Sequence, residues 1–508
     1  MWAPLVLFGP LVVIARTAEI EDLGTTQVQL PDDLLIGAGV SAAQTEGSWN
    51  TGGRSSSVLD YSIHGGGLVQ FRRSTWSPDE RIPNADIAAD SYNRYKEDVA
   101  MAAKLKLQVY RFSFSWSRLL PEGNASMPNI EGVRYYHDLI DEIINQGLTP
   151  FGTVYQFDHP QSFEEEFDGW QSRKMVHKFR EYARFVFNEY NSKIKLWITI
   201  NEPNILCSFI SLISVRARAR VAKSTDYFTC IHHLTLAHGE AYRAFKEDKL
   251  DGLVGANAWI VPARPKTNSV EDSYAAEVFN QQQVGSVLHP VVFGDYPELV
   301  KTTTGHLRPA FSPEERKMLK GATDFLSLNV YIEVFASYKK SNTSEKPPSS
   351  GRLKLLKAMM EGPDFVSFEP INSKGEATDF DPLFEVTPDA MRSSLLWAWQ
   401  RYNLPLFVSE NGIGLKKGMN EQLRYAYYSA YLRSLVSTVH EFGVNVLGYC
   451  VWSLLDNFEW SNGYEIKYGI VAVDYEGGSL NRSLKHPPDF WLSLAEERVV
   501  PFVEVPSS

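Results

Sequence analysis

Residues 196–203 read Leu-Trp-Ile-Thr-Ile-Asn-Glu-Pro. An uncharged apolar and β-branched run stops abruptly on Asn201-Glu202, and Pro203 closes it. Such a run suits a strand buried on both faces, as in parallel sheets covered by helices. A second run of the same build, Pro-Leu-Phe-Val-Ser-Glu-Asn-Gly, occupies 405–412 and stops on Glu410. A charge directly after a buried strand costs several kcal/mol unless something pairs with it. Two carboxylates so placed suggest a site rather than packing.

Outward from these two runs, strand character recurs at 34–42, 109–116, 149–158, 252–262, 324–331 and 446–456. Helical patterns lie between them. In 85–106 the apolar residues Ile87, Tyr92, Tyr95, Val99 and Ala102 recur at spacings of three to five with charges between them, and similar stripes run through 132–146, 172–190, 227–247 and 421–442. This alternation predicts the α/β class and a single (β/α)₈ TIM barrel, which needs about 250 residues and exceeds 400 with insertions. The surplus of a 508-residue chain is expected in long loop insertions, the least patterned being 338–352. In such a barrel, groups at the C-terminal ends of strands converge on one face. Glu202 ends the fourth run and Glu410 the seventh, which predicts that they face each other across the barrel mouth.

The bulk composition fits that picture. With 44% hydrophobic, 13% aromatic and 22% charged residues the chain has material for a large core. A net charge of −11 argues against nucleic acid and anionic membrane as partners and suits a small neutral ligand. Trp2 to Ala15 is uncharged and Leu/Val/Ile-rich, too short for a span of ~20 residues and suited to a secretory signal, so 1–18 is expected to be cleaved near 15–18 and 19–508 to form one domain. That places the protein in the secretory pathway or outside the cell. The sequons at Asn124, Asn342 and Asn481 are compatible with this. Three cysteines allow at most one bridge, and Cys207 with Cys230 is the pair close in sequence; Cys450, in an apolar run, reads as a small buried hydrophobe. No Cys/His spacing suggests a metal and no Gly-rich loop suggests a phosphate.

Two carboxyls facing a glycosidic bond can divide the work, one ionised as nucleophile and one protonated as acid. At this point the chain resembles the family 1 glycoside hydrolases, the β-glucosidase family, from about Leu34 to Trp491. In that family Asn-Glu-Pro carries the acid/base, which falls on Glu202, and Glu-Asn-Gly carries the nucleophile, which falls on Glu410. Ala43-Gln44-Thr45-Glu46-Gly47 looks like a family motif that places Gln44 on the sugar. Tyr110-Arg111-Phe112-Ser113 matches another and implies Arg111 beside the nucleophile. Asn329-Val330-Tyr331 is similar to the segment whose Tyr hydrogen-bonds the nucleophile, with Asn329 also expected at the substrate. The segment from Val451 to Trp460 reproduces the eighth-strand motif and implies Trp452, Glu459 and Trp460 on the glycone. Asn201 would hold the sugar 2-hydroxyl. The resemblance implies a retaining β-glycosidase, most simply a β-glucosidase, acting on a small-molecule glycoside or oligosaccharide with no cofactor.

Two departures bear on substrate. The family usually ends its third strand with His-Trp-Asp-Leu-Pro, whereas this chain reads Gln156-Phe157-Asp158-His159-Pro160. Gln156 therefore stands where the sugar-contacting His is expected, and His159 is read as a packing residue. Beyond the acid/base, Arg216, Arg218, Arg220 and Lys223 replace a Gly-rich loop. A solvated basic loop is the plain reading. An anionic aglycone, such as that of a sulfated thioglucoside in a myrosinase-like enzyme, is the sharper one. A catalytically weak or non-catalytic glycan-binding protein on the same fold is a further alternative.

Overall fold

The computed structural model describes residues 28–64, 83–213, 224–339, 363–378, 385–485 and 488–506. Eight parallel strands close into a barrel: β1 (Leu35–Gly39), β2 (Val109–Ser113), β3 (Thr149–Tyr155), β4 (Leu196–Ile200), β5 (Leu253–Ile260), β6 (Phe325–Val330), β7 (Leu406–Asn411) and β8 (Val446–Trp452). Each lies within one of the eight runs read from the sequence. Neighbours in the barrel are neighbours in this order, and β8 closes against β1.

Helices cover the outside: α1 (Ser91–Lys104), α2 (Ile130–Asn145), α3 (Lys174–Tyr190), α4 (Ser224–Glu247), α5 (Ser286–Phe293), α6 (Asp389–Tyr402), α7 (Gln422–Phe442) and the short α8 (Asp489–Leu492). Their stripes do what the spacing requires. On α2, Tyr135, Tyr136, Leu139, Ile140 and Ile143 are buried while the charged residues between them stay outside. The first stripe begins later than its pattern suggested. Ala88 and Asp90 take left-handed backbone, so α1 starts at Ser91 and Ile87 is left 61% exposed ahead of it.

Inside the barrel the side chains form two zones. Toward the N-terminal ends, Val109, Phe151, Leu196, Ile198, Phe325, Phe407 and Cys450 pack as one apolar cluster, with the rings of Phe151 and Phe407 4.9 Å apart. Each such phenylalanine contributes ~1.5–3 kcal/mol by burial. Toward the C-terminal ends, Arg111, Asn257, Ser327, Asn329 and Ser409 are just as buried but polar. Those groups need partners, and they find them in one another. The insertions after β5 and β6 build a separate three-stranded sheet from Ala263–Pro265, Val334–Tyr338 and Val366–Pro370. Among the described residues no helix is long and apolar enough to cross a membrane.

Candidate active site

Glu410 sits at the end of β7, only 4% exposed, and both of its oxygens are occupied. Arg111 Nη1 donates to Oε1 at 2.5 Å, and the Tyr331 hydroxyl donates to Oε2 at 2.7 Å. Arg111 is itself fixed on four sides, donating from Nη1 also to the Ser409 carbonyl, from Nε to Thr153 Oγ1 and from Nη2 to Asn201 Oδ1. The Tyr331 carbonyl accepts from Tyr431 and Tyr427, two hydroxyls of α7, so the ring is held from behind. A cation and a phenol are thus aimed at one carboxylate, as charge-assisted hydrogen bonds. Gly412 completes the motif for a packing reason: a Cβ there would lie 1.8 Å from the Trp452 carbonyl oxygen.

Glu202 follows β4 and lives differently. Its backbone is left-handed, with φ of 44°, and its carboxyl Oε1 accepts a single neutral donor, Asn329 Nδ2, at 2.8 Å. The residue keeps partial access to solvent, yet protein crowds the carboxyl. Burial, reinforced by the Glu410 charge, pushes it from 4.5 up to about 8, against smaller opposing effects of Asn329 and Arg111. The two carboxyls are joined through Asn201, whose Oδ1 accepts from both Arg111 and Asn329. One carboxyl thus receives a cation and a phenol, and the other, with a single amide, is kept protonated by its burial.

Of the remaining expected residues, Glu459 lies close enough for its charge to act on Glu202. Gln44 is fully buried, and its Nε2 reaches Asn457 Oδ1, the Phe458 carbonyl and Glu459 Oε2, while Ser41 donates to its Oε1. Trp452 at the end of β8 packs with Ile466, Tyr468 and Tyr331. Trp460 stands edge-on to Phe157 with ring centroids 5.3 Å apart. Gln156 is 2% exposed, and its Oε1 has no hydrogen-bond partner among the described residues. An acceptor in that state calls for a donor. Among the described residues no group of His, Cys, Asp and Glu is arranged to hold a metal ion.

A model of the family described as glycosyl hydrolase family 1 matches residues 26–499. The chain belongs to glycosyl hydrolase family 1. It is 34% identical to beta-glucosidase 30 of Arabidopsis thaliana over 94% of this chain and 83% of that one. It is 33% identical to a cyanidin 3-O-glucoside 7-O-glucosyltransferase (acyl-glucose) of Delphinium grandiflorum, covering 95% of this chain and 93% of that protein. Among solved structures, an aphid myrosinase matches with a TM-score of 0.81 and 30% identity, covering 92% of this chain and 99% of that one.

His159 is fully buried, held between the Tyr155 hydroxyl at 2.7 Å and Glu164 Oε1 at 2.9 Å. Cys207 and Cys230 form a disulfide with Cα atoms 5.7 Å apart, tying the helix Pro203–Ile213 that follows Glu202 to α4; Cys450 is a buried free thiol. Asn124 and Asn481 are exposed; the Asn124 side-chain Oδ1 accepts from Ser126, and the Asn481 side-chain Oδ1 accepts from Arg94. The segment 1–18 expected as a leader, the run holding Arg216, Arg218, Arg220 and Lys223, nearly all of 338–352 and Asn342 lie outside the described residues. The sequence reading missed Asn257, Ser327 and Ser409, which stand beneath both carboxyls. A signal was there: Asn257 is the lone polar residue of its strand run, and Ser327 and Ser409 each interrupt an apolar stretch of theirs.

Proposed function

We propose that this family 1 glycoside hydrolase is a retaining β-glycosidase of the β-glucosidase type, with Glu410 as nucleophile and Glu202 as acid/base. The observation that carries the reading is the unequal setting of the two carboxyls. Glu410 receives donors from Arg111 and Tyr331, whereas Glu202 has one amide and a carboxyl pushed up to about 8. In the first step a Glu410 oxygen bonds to the anomeric carbon, the bond from that carbon to the leaving oxygen breaks, and the leaving oxygen takes the Glu202 proton. In the second, Glu202 takes a proton from water, the water oxygen bonds to the anomeric carbon, and the ester to Glu410 breaks. Gln44, Gln156, Asn201, Asn329, Trp452, Glu459 and Trp460 are assigned to the sugar.

Labelling with an activated fluoroglucoside followed by peptide mapping tests the assignment. The label is expected on Glu410, and its absence there, with silence on a panel of aryl β-glycosides, would move the protein to the non-catalytic alternative. The likeness to an aphid myrosinase supports a second reading, a thioglucosidase for anionic glucosides. Turnover of a sulfated thioglucoside with a strongly salt-sensitive KM, lost in Arg216→Ala or Arg218→Ala, is its expected signature. We further propose that 1–18 is a cleaved leader, that 19–508 forms one domain, and that Asn124, Asn342 and Asn481 carry glycans in the secretory pathway. The Cys207–Cys230 bridge supports that route, because disulfides persist where the environment is oxidising.

A further inference from the structure

The polar layer under the site contains a closed circuit that begins and ends on Glu202. The Glu202 backbone N–H donates to Asn257 Oδ1 at 2.7 Å. A backbone N–H can only donate, so this contact settles which end of the Asn257 amide is oxygen. Its Nδ2 then faces the other way, toward Ser327 Oγ at 3.0 Å, Ser409 Oγ at 3.1 Å and Asn329 Oδ1 at 3.1 Å. The Ser327 hydroxyl donates to Ser409, and the Ser409 hydroxyl donates to Asn329 Oδ1, each at 2.6 Å. With its oxygen engaged by two donors, Asn329 must turn Nδ2 toward Asn201 Oδ1 and Glu202 Oε1. Strand pairing sets this up, since Asn257 on β5 is in register with Ser327 on β6, and β7 lies on the far side of β6. All four side chains are buried, and none leaves a polar atom without a partner.

We propose that Asn257 is a positioning residue for the acid/base: it pins the left-handed backbone of Glu202 and, through Asn329, directs the carboxyl so that Oε1 accepts and Oε2 carries the transferable proton. This rests on the reading of Glu202 as acid/base. A left-handed backbone is sparsely populated by residues with a Cβ, so it persists only where its surroundings hold it. None of the hydrogen bonds of Asn257 goes to the carboxyl of Glu202 or Glu410. Its effect reaches the reaction only through where Glu202 points.

Leaving-group dependence tests this. A dinitrophenyl glucoside departs without a proton, whereas a phenyl glucoside needs one. Asn257→Ala is expected to lower kcat/KM on the phenyl glucoside by about 10- to 100-fold, part of the ~100- to 10,000-fold that general acid–base catalysis supplies, and to leave the dinitrophenyl substrate within about threefold. The alkaline limb of its pH profile should also move. Asn257→Asp keeps an acceptor for the Glu202 N–H but removes the donor to Asn329, and is expected to show the same dependence. The rate at which a dinitrophenyl fluoroglucoside labels Glu410 reports whether each variant is folded around an intact nucleophile. Equal losses on both substrates, or labelling that falls in parallel, would reduce Asn257 to a structural residue and overturn the proposal. So would no loss on either substrate. Glu202→Gln serves as reference: if it lacks leaving-group dependence, the acid/base reading itself fails, whereas dependence in Glu202→Gln but not in the Asn257 variants defeats only this inference.

Discussion

Glu202 and Glu410 end strands of one barrel, carry the same functional group and face the same mouth, yet their surroundings are opposite. Glu410 is clasped by a guanidinium and a phenol, both supported from behind. Glu202 is left half-open, with one amide donor and a like charge nearby. The difference teaches that a side chain's role in such a pair is written in its donors rather than in its own chemistry. On the proposed reading, two identical acids take the roles of nucleophile and proton donor because one receives a cation and the other does not.

Breaking the comparison at its stronger end has the largest expected effect. Glu410→Gln removes the nucleophile and should lower kcat on an aryl β-glucoside by about 10,000-fold or more, and near-normal turnover would refute the assignment. Glu202→Gln should cost ~100- to 10,000-fold on substrates that need a proton and far less on activated ones. Its pH profile follows from the raised carboxyl. Glu202 stays protonated below about 8, so the first step should fail as pH rises through that value, and Glu202→Gln should erase the limb. Tyr331→Phe deletes one of the two donors on Glu410. A hydrogen bond to a charged group is worth about 1.5–3 kcal/mol, so kcat/KM should fall by about 10- to 100-fold with no shift in the alkaline limb. The smallest effect is expected at Gln156→Ala. Its unpartnered oxygen supports a neutral contact with a sugar hydroxyl, worth about 0.5–1.5 kcal/mol, read as a rise in KM of about 10-fold or less.

A comparison of the two barrel zones shows how much was legible beforehand. The lower zone is apolar, and apolar runs announce themselves, which is why all eight strands fall inside the segments picked from hydrophobic pattern alone. The site's acids were legible for the converse reason, since Glu202 and Glu410 interrupt those runs at their ends. The start of α1 was not, because the turn at Ala88 and Asp90 depends on backbone angles that an apolar spacing does not encode. His159 could be read only as more suited to packing than to the pocket, and its clamp between Tyr155 and Glu164 appears once the turn after β3 is built.

By itself the sequence determined the alternation that makes a barrel, the position of the carboxyls at strand ends, and the motifs that assign the family. These are local properties, carried by neighbours in the chain. The motifs also implied Arg111 beside Glu410, but tertiary structure alone decided how Arg111 is anchored there, that Asn329 donates to Glu202, and how Asn257 closes its circuit. Those partners come from β2, β5 and β6, far apart in sequence, and they meet only because closing the sheet turns their side chains toward one axis.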